Sequence, residues 1–149
     1  MGGIAVQVRD LMTASVVTIT PQESAALAAR LLTRHNLGAL PVCTYDGALV
    51  GIVTDRDIVT RCIAADQDPS RVSVEDIMSR ELTVVAPGED AKQAAKRMAR
   101  AQIRRLPVVE EGQVRGMISL GDLALAHRCE MEAASALSEI SGNVARRKP

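Results

Sequence analysis

The feature that most constrains this 149-residue chain is that it repeats itself. Val8-Arg9-Asp10-Leu11-Met12 returns as Val74-Glu75-Asp76-Ile77-Met78, an offset of 66 residues. Pro21 returns as Pro87, and Leu40-Pro41-Val42 as Leu106-Pro107-Val108, at the same offset. One residue is then lost. Gly51-Ile52-Val53-Thr54-Asp55-Arg56-Asp57 returns as Gly116-Met117-Ile118-Ser119-Leu120-Gly121-Asp122, at an offset of 65. A register held over about 50 residues is a duplication. The period is too long and the copies too few for a solenoid, so two units burying their faces against each other are expected.

Each copy reads as β-α-β-β-α. Val16 to Ile19 suits a short strand. Thr20-Pro21-Gln22-Glu23 suits a helix start, with a cap, a proline at the first helical position and a glutamate three residues after the cap. Leu27, Ala28, Leu31, Leu32 and His35 follow at helical spacing, and Asn36 and Gly38 stop the helix. Ala39 to Cys43 and Ala48 to Val53 are strands joined across Asp46-Gly47. A second helix starts near Thr54 and runs to about Ala65. The second copy gives a strand over Leu82 to Val85 and a helix from about Glu89, striped by Ala91, Ala94, Ala95 and Met98. Strands follow at Arg105 to Val109 and Val114 to Ser119, around Glu111-Gly112. A final helix starts near Leu120 and is expected to continue to Ser141. The boundaries are a lead (1–7), repeat one (8–65), a linker (66–73), repeat two (74–126) and a C-terminal helix extension and tail (127–149), with Asn143 to Pro149 frayed.

Composition removes several functions. Apolar residues are 47% of the chain, enough to bury a core. The formal net charge is zero, which disfavours nucleic acid as a partner. Tyr45 is the one aromatic residue, so base-stacking modules are excluded. No apolar run suits a membrane span, and no secretory leader is visible, so a cytoplasmic location is expected. Cys43, Cys62 and Cys129 are three, widely spaced and without a Cys-x-x-Cys pair, and read as small buried hydrophobes. A redox or metal trio, joined by His35, is the alternative. His35 itself reads as a polar helix-end residue. Lys92, Lys96 and Arg100 read as a solvated helix face. Leu123, Ala126, Met131, Ala134 and Leu137 form an incomplete apolar stripe on the last helix, suited to a homodimer contact or to packing on the chain itself. No nucleophile–base pair, zinc-ligand pair or phosphate loop is visible, so no enzyme activity is expected.

The repeated Gly51-to-Asp57 and Gly116-to-Asp122 motif carries the chemistry. A strand ends and a helix begins at a hydroxyl residue, where free backbone N–H groups suit a phosphate. The hydroxyl of Thr54 adds a donor, and the carboxylate of Asp57 matches a pair of ribose hydroxyls. Gly51 removes a side chain where a close approach is needed. Thr54-x-x-Asp57 and Ser119-x-x-Asp122 also satisfy the helix-capping pattern, and a cap, worth roughly 1 kcal/mol, explains both pairs from spacing alone without a ligand.

The ordered set of "DLM" and "DIM", "ALPV" and "RLPV", and "GIVTDRD" and "GMISLGD" resembles a tandem pair of cystathionine-β-synthase (CBS) domains, a Bateman module, similar to small stand-alone bacterial CBS-pair proteins. The resemblance covers about residues 8 to 126. It implies an α/β (α+β) fold, with two repeats packed about a pseudo-two-fold axis and an adenosine ligand in the cleft between them. Carried over by motif, Thr54, Arg56 and Asp57 would face Leu82, Thr83, Ile103, Arg104, Arg105, Leu106 and Pro107. Ser119 and Asp122 would face Val17, Thr18, Leu37, Gly38, Ala39, Leu40 and Pro41. Adenine would lie against aliphatic side chains and strand backbone. The first cleft, with Arg56, Arg104 and Arg105, is expected to hold phosphate better, because charge-assisted hydrogen bonds are roughly twice as strong as neutral ones. One of Arg104 and Arg105 is expected to point away into solvent.

The expected function is therefore a regulatory, ligand-sensing module in signal transduction. Its ligand would be AMP, ADP or ATP, with S-adenosylmethionine and NAD open, its assembly a homodimer, and its downstream protein partner unknown. The rivals are a scaffold with unoccupied clefts and a cysteine-based redox or metal sensor.

Overall fold

The computed structural model describes residues 5–126 and 130–146. Cys129 and the last three residues of the expected frayed tail lie outside these, as does the side chain of Met131. The chain is α+β and divides into two compact units. The units are not the two repeats. Unit 1 takes the chain up to Val16 together with Thr83–Glu111 and the chain from Arg115 onward, and unit 2 takes Val17–Leu82 with Gly112–Val114.

Unit 2 begins with helix α2 (Ala25–Arg34), then strands β1 (Ala39–Cys43) and β2 (Leu49–Thr54) and helix α3 (Asp55–Ile58), which runs on as a π-helical turn over Val59–Ile63. Helix α4 (Val74–Ile77) completes it. Strands β1 and β2 are antiparallel, with Ala39 opposite Thr54 and Leu40 opposite Val53. Gly47 takes the turn between them at φ +90°, a region that side chains disfavour. Ala28, Leu32, Leu40, Val42, Val53, Ile58, Cys62, Val74 and Ile77 share the core. Cys62 is fully buried and Cys43 nearly so, both as free thiols, and burial pushes the Cys43 thiol up.

Unit 1 holds α1 (Val8–Leu11), α5 (Ala91–Ala101), β3 (Arg105–Glu110), most of β4 (Gln113–Ser119), α6 (Leu120–Leu125) and α7 (Glu130–Arg146). Its core gathers Val8, Val85, Ala91, Ala94, Ala95, Met98, Leu106, Val108, Ile118 and Leu123. Lys92, Lys96 and Arg100 lie on the exposed face of α5, and His35 is exposed at the end of α2, as the spacing suggested. Asn36 and Gln102 follow their helices at φ 53° and 60°, ending each in a left-handed residue.

Four expectations are corrected. The first strand of each copy shrinks to one residue. The Ile19 amide donates to Pro41 O (3.1 Å) and Ile19 O accepts from Cys43 N (2.9 Å), and Val85 does the same with Pro107 O (3.1 Å) and Val109 N (2.9 Å). The α2 helix starts at Ala25, capped by Ser24 Oγ rather than by Thr20, and α5 starts at Ala91, capped by Asp90. The reason is that the preceding turns are already engaged. Pro21 O and Glu23 O accept from Glu75 N (3.0 Å) and Val74 N (2.8 Å), and Pro87 O and Glu89 O accept from Arg9 N (2.9 Å) and Val8 N (2.9 Å). The last helix is two helices, because Ala126 turns to an extended conformation (φ −89°, ψ 118°). Among the described side chains of α7, Ala136 and Ile140 are buried and Ala134 and Leu137 exposed; the helix itself runs through Arg146 rather than fraying from Asn143.

Gly51 and Gly116 now have a reason that does not involve a ligand. A Cβ on Gly51 would lie 2.5 Å from Met78 Sδ and 3.0 Å from Ser79 O. One on Gly116 would lie 2.7 Å from both Met12 Sδ and Thr13 O. The methionine that ends each opening helix crosses the glycine of an edge strand, and the next residue pairs with that strand. Thr13 bonds Met117 in both directions (2.8 and 3.0 Å), and Ser79 bonds Ile52 in both directions (2.8 and 3.0 Å). Gly116→Ala should cost about 1–3 kcal/mol by overpacking, and Gly51→Ala less, because a thioether gives way more easily than a carbonyl. Urea denaturation of the two variants checks the order.

In unit 1, Arg97 donates to Glu89 Oε2 (2.7 Å) and to Val84 O (2.9 Å), and Glu89 Oε2 also accepts from Ala86 N (2.7 Å). The Arg97 hydrogen bond holds the Glu89 carboxyl below its ordinary 4.5, against partial burial, and the Ala86 amide adds to it. A depressed folded value means that this contribution is present above about pH 4.5 and is lost as pH falls through the folded value. The melting-temperature gap between the native protein and Arg97→Met should hold steady from about pH 7 to 5 and narrow below about 4.5.

Candidate functional site

Both hydroxyl-to-aspartate motifs form strand-to-helix elbows closed by reciprocal capping boxes. The Thr54 amide donates to Asp57 Oδ2 (2.9 Å) and the Asp57 amide to Thr54 Oγ1 (3.1 Å). The Ser119 amide donates to Asp122 Oδ2 (2.8 Å) and the Asp122 amide to Ser119 Oγ (3.1 Å). The capping reading is therefore realised in both copies. It uses one oxygen of each carboxylate and one lone pair of each hydroxyl, so each elbow keeps further capacity to bond.

The two elbows differ in what surrounds them. In unit 2, Asp55 Oδ1 accepts from Arg56 N (2.8 Å), so an acidic side chain already covers that amide. Arg61 lies across the other oxygen of Asp57, with Nε 3.8 Å from Oδ1. Sequence reasoning missed Arg61, whose only signal was its position four residues beyond Asp57.

In unit 1, Arg104 O accepts from Leu120 N (2.9 Å), which ties the residue before β3 to the first turn of α6. Arg104, Arg105, Ser119, Leu120, Gly121, Ala124, Ala134 and Leu137 line one cavity of about 610 Å³. That volume is in the range of small-molecule sites. Both arginines line this cavity and both are exposed, rather than one turning away. Among the described residues, Asp122 Oδ1 has no partner. Ala134 and Leu137, read above as part of an apolar stripe, supply one wall.

The remaining expected residues fall as follows. Val17, Thr18, Leu37, Gly38, Ala39, Leu40, Pro41, Thr54, Arg56, Asp57 and Leu82 belong to unit 2, and Thr83, Ile103, Arg104, Arg105, Leu106, Pro107, Ser119 and Asp122 to unit 1. Leu40 and Leu106 are fully buried core residues. Thr18 lines a second cavity, of about 350 Å³, with Thr20, Cys43, Thr44, Tyr45 and Gln113. Among the described residues no three His, Cys, Asp or Glu side chains converge as a metal site, and no helix is long and apolar enough to cross a membrane.

Comparison with known proteins agrees with this architecture. The CBS domain family matches residues 8–63 and again 74–128. The CBS domain-containing protein YhcV of Bacillus subtilis is 41% identical over 134 residues, covering 90% of this chain and 94% of that protein. Hypoxic response protein 1 of Mycobacterium tuberculosis is 33% identical, covering 78% of this chain and 81% of that protein. The crystal structure of Hypoxic Response Protein I, with two coordinated zinc ions, superposes with a TM-score of 0.74 at 32% identity, covering 80% and 98% of the two chains. The CBS domain pair of protein MJ0100, in complex with 5-methylthioadenosine and S-adenosyl-L-methionine, gives 0.74 at 28% identity, covering 82% and 95%. The chain thus belongs to the CBS-domain family, as a tandem pair of CBS domains.

Proposed function

We propose that the chain is a regulatory module that binds an adenine nucleotide, with the Ser119 elbow of unit 1 as the receptive site. The observation that carries this is the juxtaposition of Arg104, Arg105 and Ser119 on one cavity. Two guanidinium groups and a hydroxyl suit a phosphate, by charge-assisted and bidentate bonding. The remaining oxygen of Asp122 suits a ribose hydroxyl, and Leu120, Ala124 and Leu137 offer an aliphatic wall to a base. The similarity to MJ0100 supports an adenosine ligand. The arginines argue for phosphate over the sulfonium of S-adenosylmethionine, because a cationic ligand meets like charge there. Binding without turnover makes the module a sensor, and occupancy would act by biasing conformations that a partner protein reads.

The scaffold reading keeps one specific support: both capping boxes are complete without a ligand. Calorimetric titration separates the two. AMP and ATP should bind and be recovered unchanged. Arg104→Ala with Arg105→Ala should weaken AMP by about tenfold or more, and leave 5-methylthioadenosine, which has no phosphate, within about threefold. Absence of heat with every adenosine compound, together with an unshifted melting temperature, would leave the scaffold standing.

A further inference from the structure

The two elbows are equivalent in sequence but not in wiring. Arg61 joins Asp57 of the unit 2 elbow to the end of α4. Its Nε stands 3.8 Å from Asp57 Oδ1, and its Nη1 lies 3.3 Å from both Ile77 O and Met78 O. Those carbonyls end a helix, where a cation is favoured. The same stretch is held by Met78 across Gly51 and by the pairing of Ser79 with Ile52. Arg61 sits in the π-helical turn Val59–Ile63, where Ala64 N reaches back five residues to Val59 O (2.8 Å). The counterpart of Arg61 at the offset of 65 is Ala126, which has no charge to offer Asp122.

Both oxygens of Asp57 are thus engaged, Oδ2 by the Thr54 amide and Oδ1 by Arg61. We infer that Arg61 is a latch, which competes with a ribose hydroxyl for Asp57 and passes occupancy of that elbow to the end of α4. The inference deepens the nucleotide reading and rests on it. A ligand hydroxyl donating to Asp57 Oδ1 displaces the guanidinium. With its ion-pair partner taken, Arg61 loosens its hold on Ile77 O and Met78 O. Reciprocity requires that a fixed α4 end weakens the ligand at Asp57. The unit 2 elbow therefore reports binding, while the unit 1 elbow, where no arginine among the described residues reaches Asp122, binds more tightly.

The test uses the full chain with AMP as the probe, measured by calorimetry and by amide hydrogen exchange at Met78 and Ser79. AMP should speed exchange at these two amides in the native protein and leave it unmoved in Arg61→Ala. With the unit 1 elbow weakened by Asp122→Asn, adding Arg61→Ala should tighten AMP by about two- to fivefold, the range of an exposed ion pair. Arg61→Lys keeps the charge but not the fork, so it should keep AMP weak while abolishing the exchange response. AMP affinity left unchanged when Arg61→Ala is added to Asp122→Asn, or no exchange response in the native protein, overturns the latch and leaves the nucleotide reading intact. Absence of AMP binding in every variant overturns both.

Discussion

The structure depends on a reciprocal loan of backbone hydrogen bonds. The turn before α2 offers the carbonyls of Pro21 and Glu23 to the amides that start α4, and the turn before α5 offers those of Pro87 and Glu89 to the amides that start α1. Those amides are orphans of short helices and need acceptors that their own turn does not supply. The same segments go on to cover a sheet edge, Thr13 on β4 and Ser79 on β2. An edge left bare would invite pairing with other chains, so a four-residue helix and the residue pair after it solve two problems together. Helix start, glycine position and edge protection all follow from this one arrangement.

The capping boxes show how a structural device and a binding device share residues. Thr54, Asp57, Ser119 and Asp122 satisfy helix amides before any ligand arrives. That fixes their rotamers, so a ligand would meet preorganised groups and spend little on ordering them. What differs between the copies lies around the boxes: Arg104 and Arg105 beside Ser119, and Asp55 and Arg61 around Asp57. Duplication supplied two frames, and substitution outside the frame made them unequal.

The duplication, the hairpins and the elbows were legible because each is a local statement. Glu111-Gly112 takes positive φ at both residues (53° and 78°), as the tight turn of a hairpin requires, and Thr54-x-x-Asp57 is satisfied within four residues. What was not legible is long-range. Thr20-Pro21-Gln22-Glu23 has the composition of a helix start, yet its carbonyls are claimed by residues more than 50 positions away, and the helix waits for Ser24. Gly51 announced a close approach but not by what, since Met78 lies in the next copy. Arg104 and Arg105 gave their charge but not their company, because Leu120 N reaches Arg104 O from beyond a hairpin.

The crossed opening segments also govern how the chain is made. Val8 bonds Glu89 and Thr13 bonds Met117, so this early segment waits for residues made roughly 80 to 100 positions later. Unit 2 has most of its partners once Ser79 emerges, yet unit 1 cannot close until β4 is out. Such sequence-distant pairings slow folding. A gene cut in the linker would release two halves, each carrying the other's missing edge.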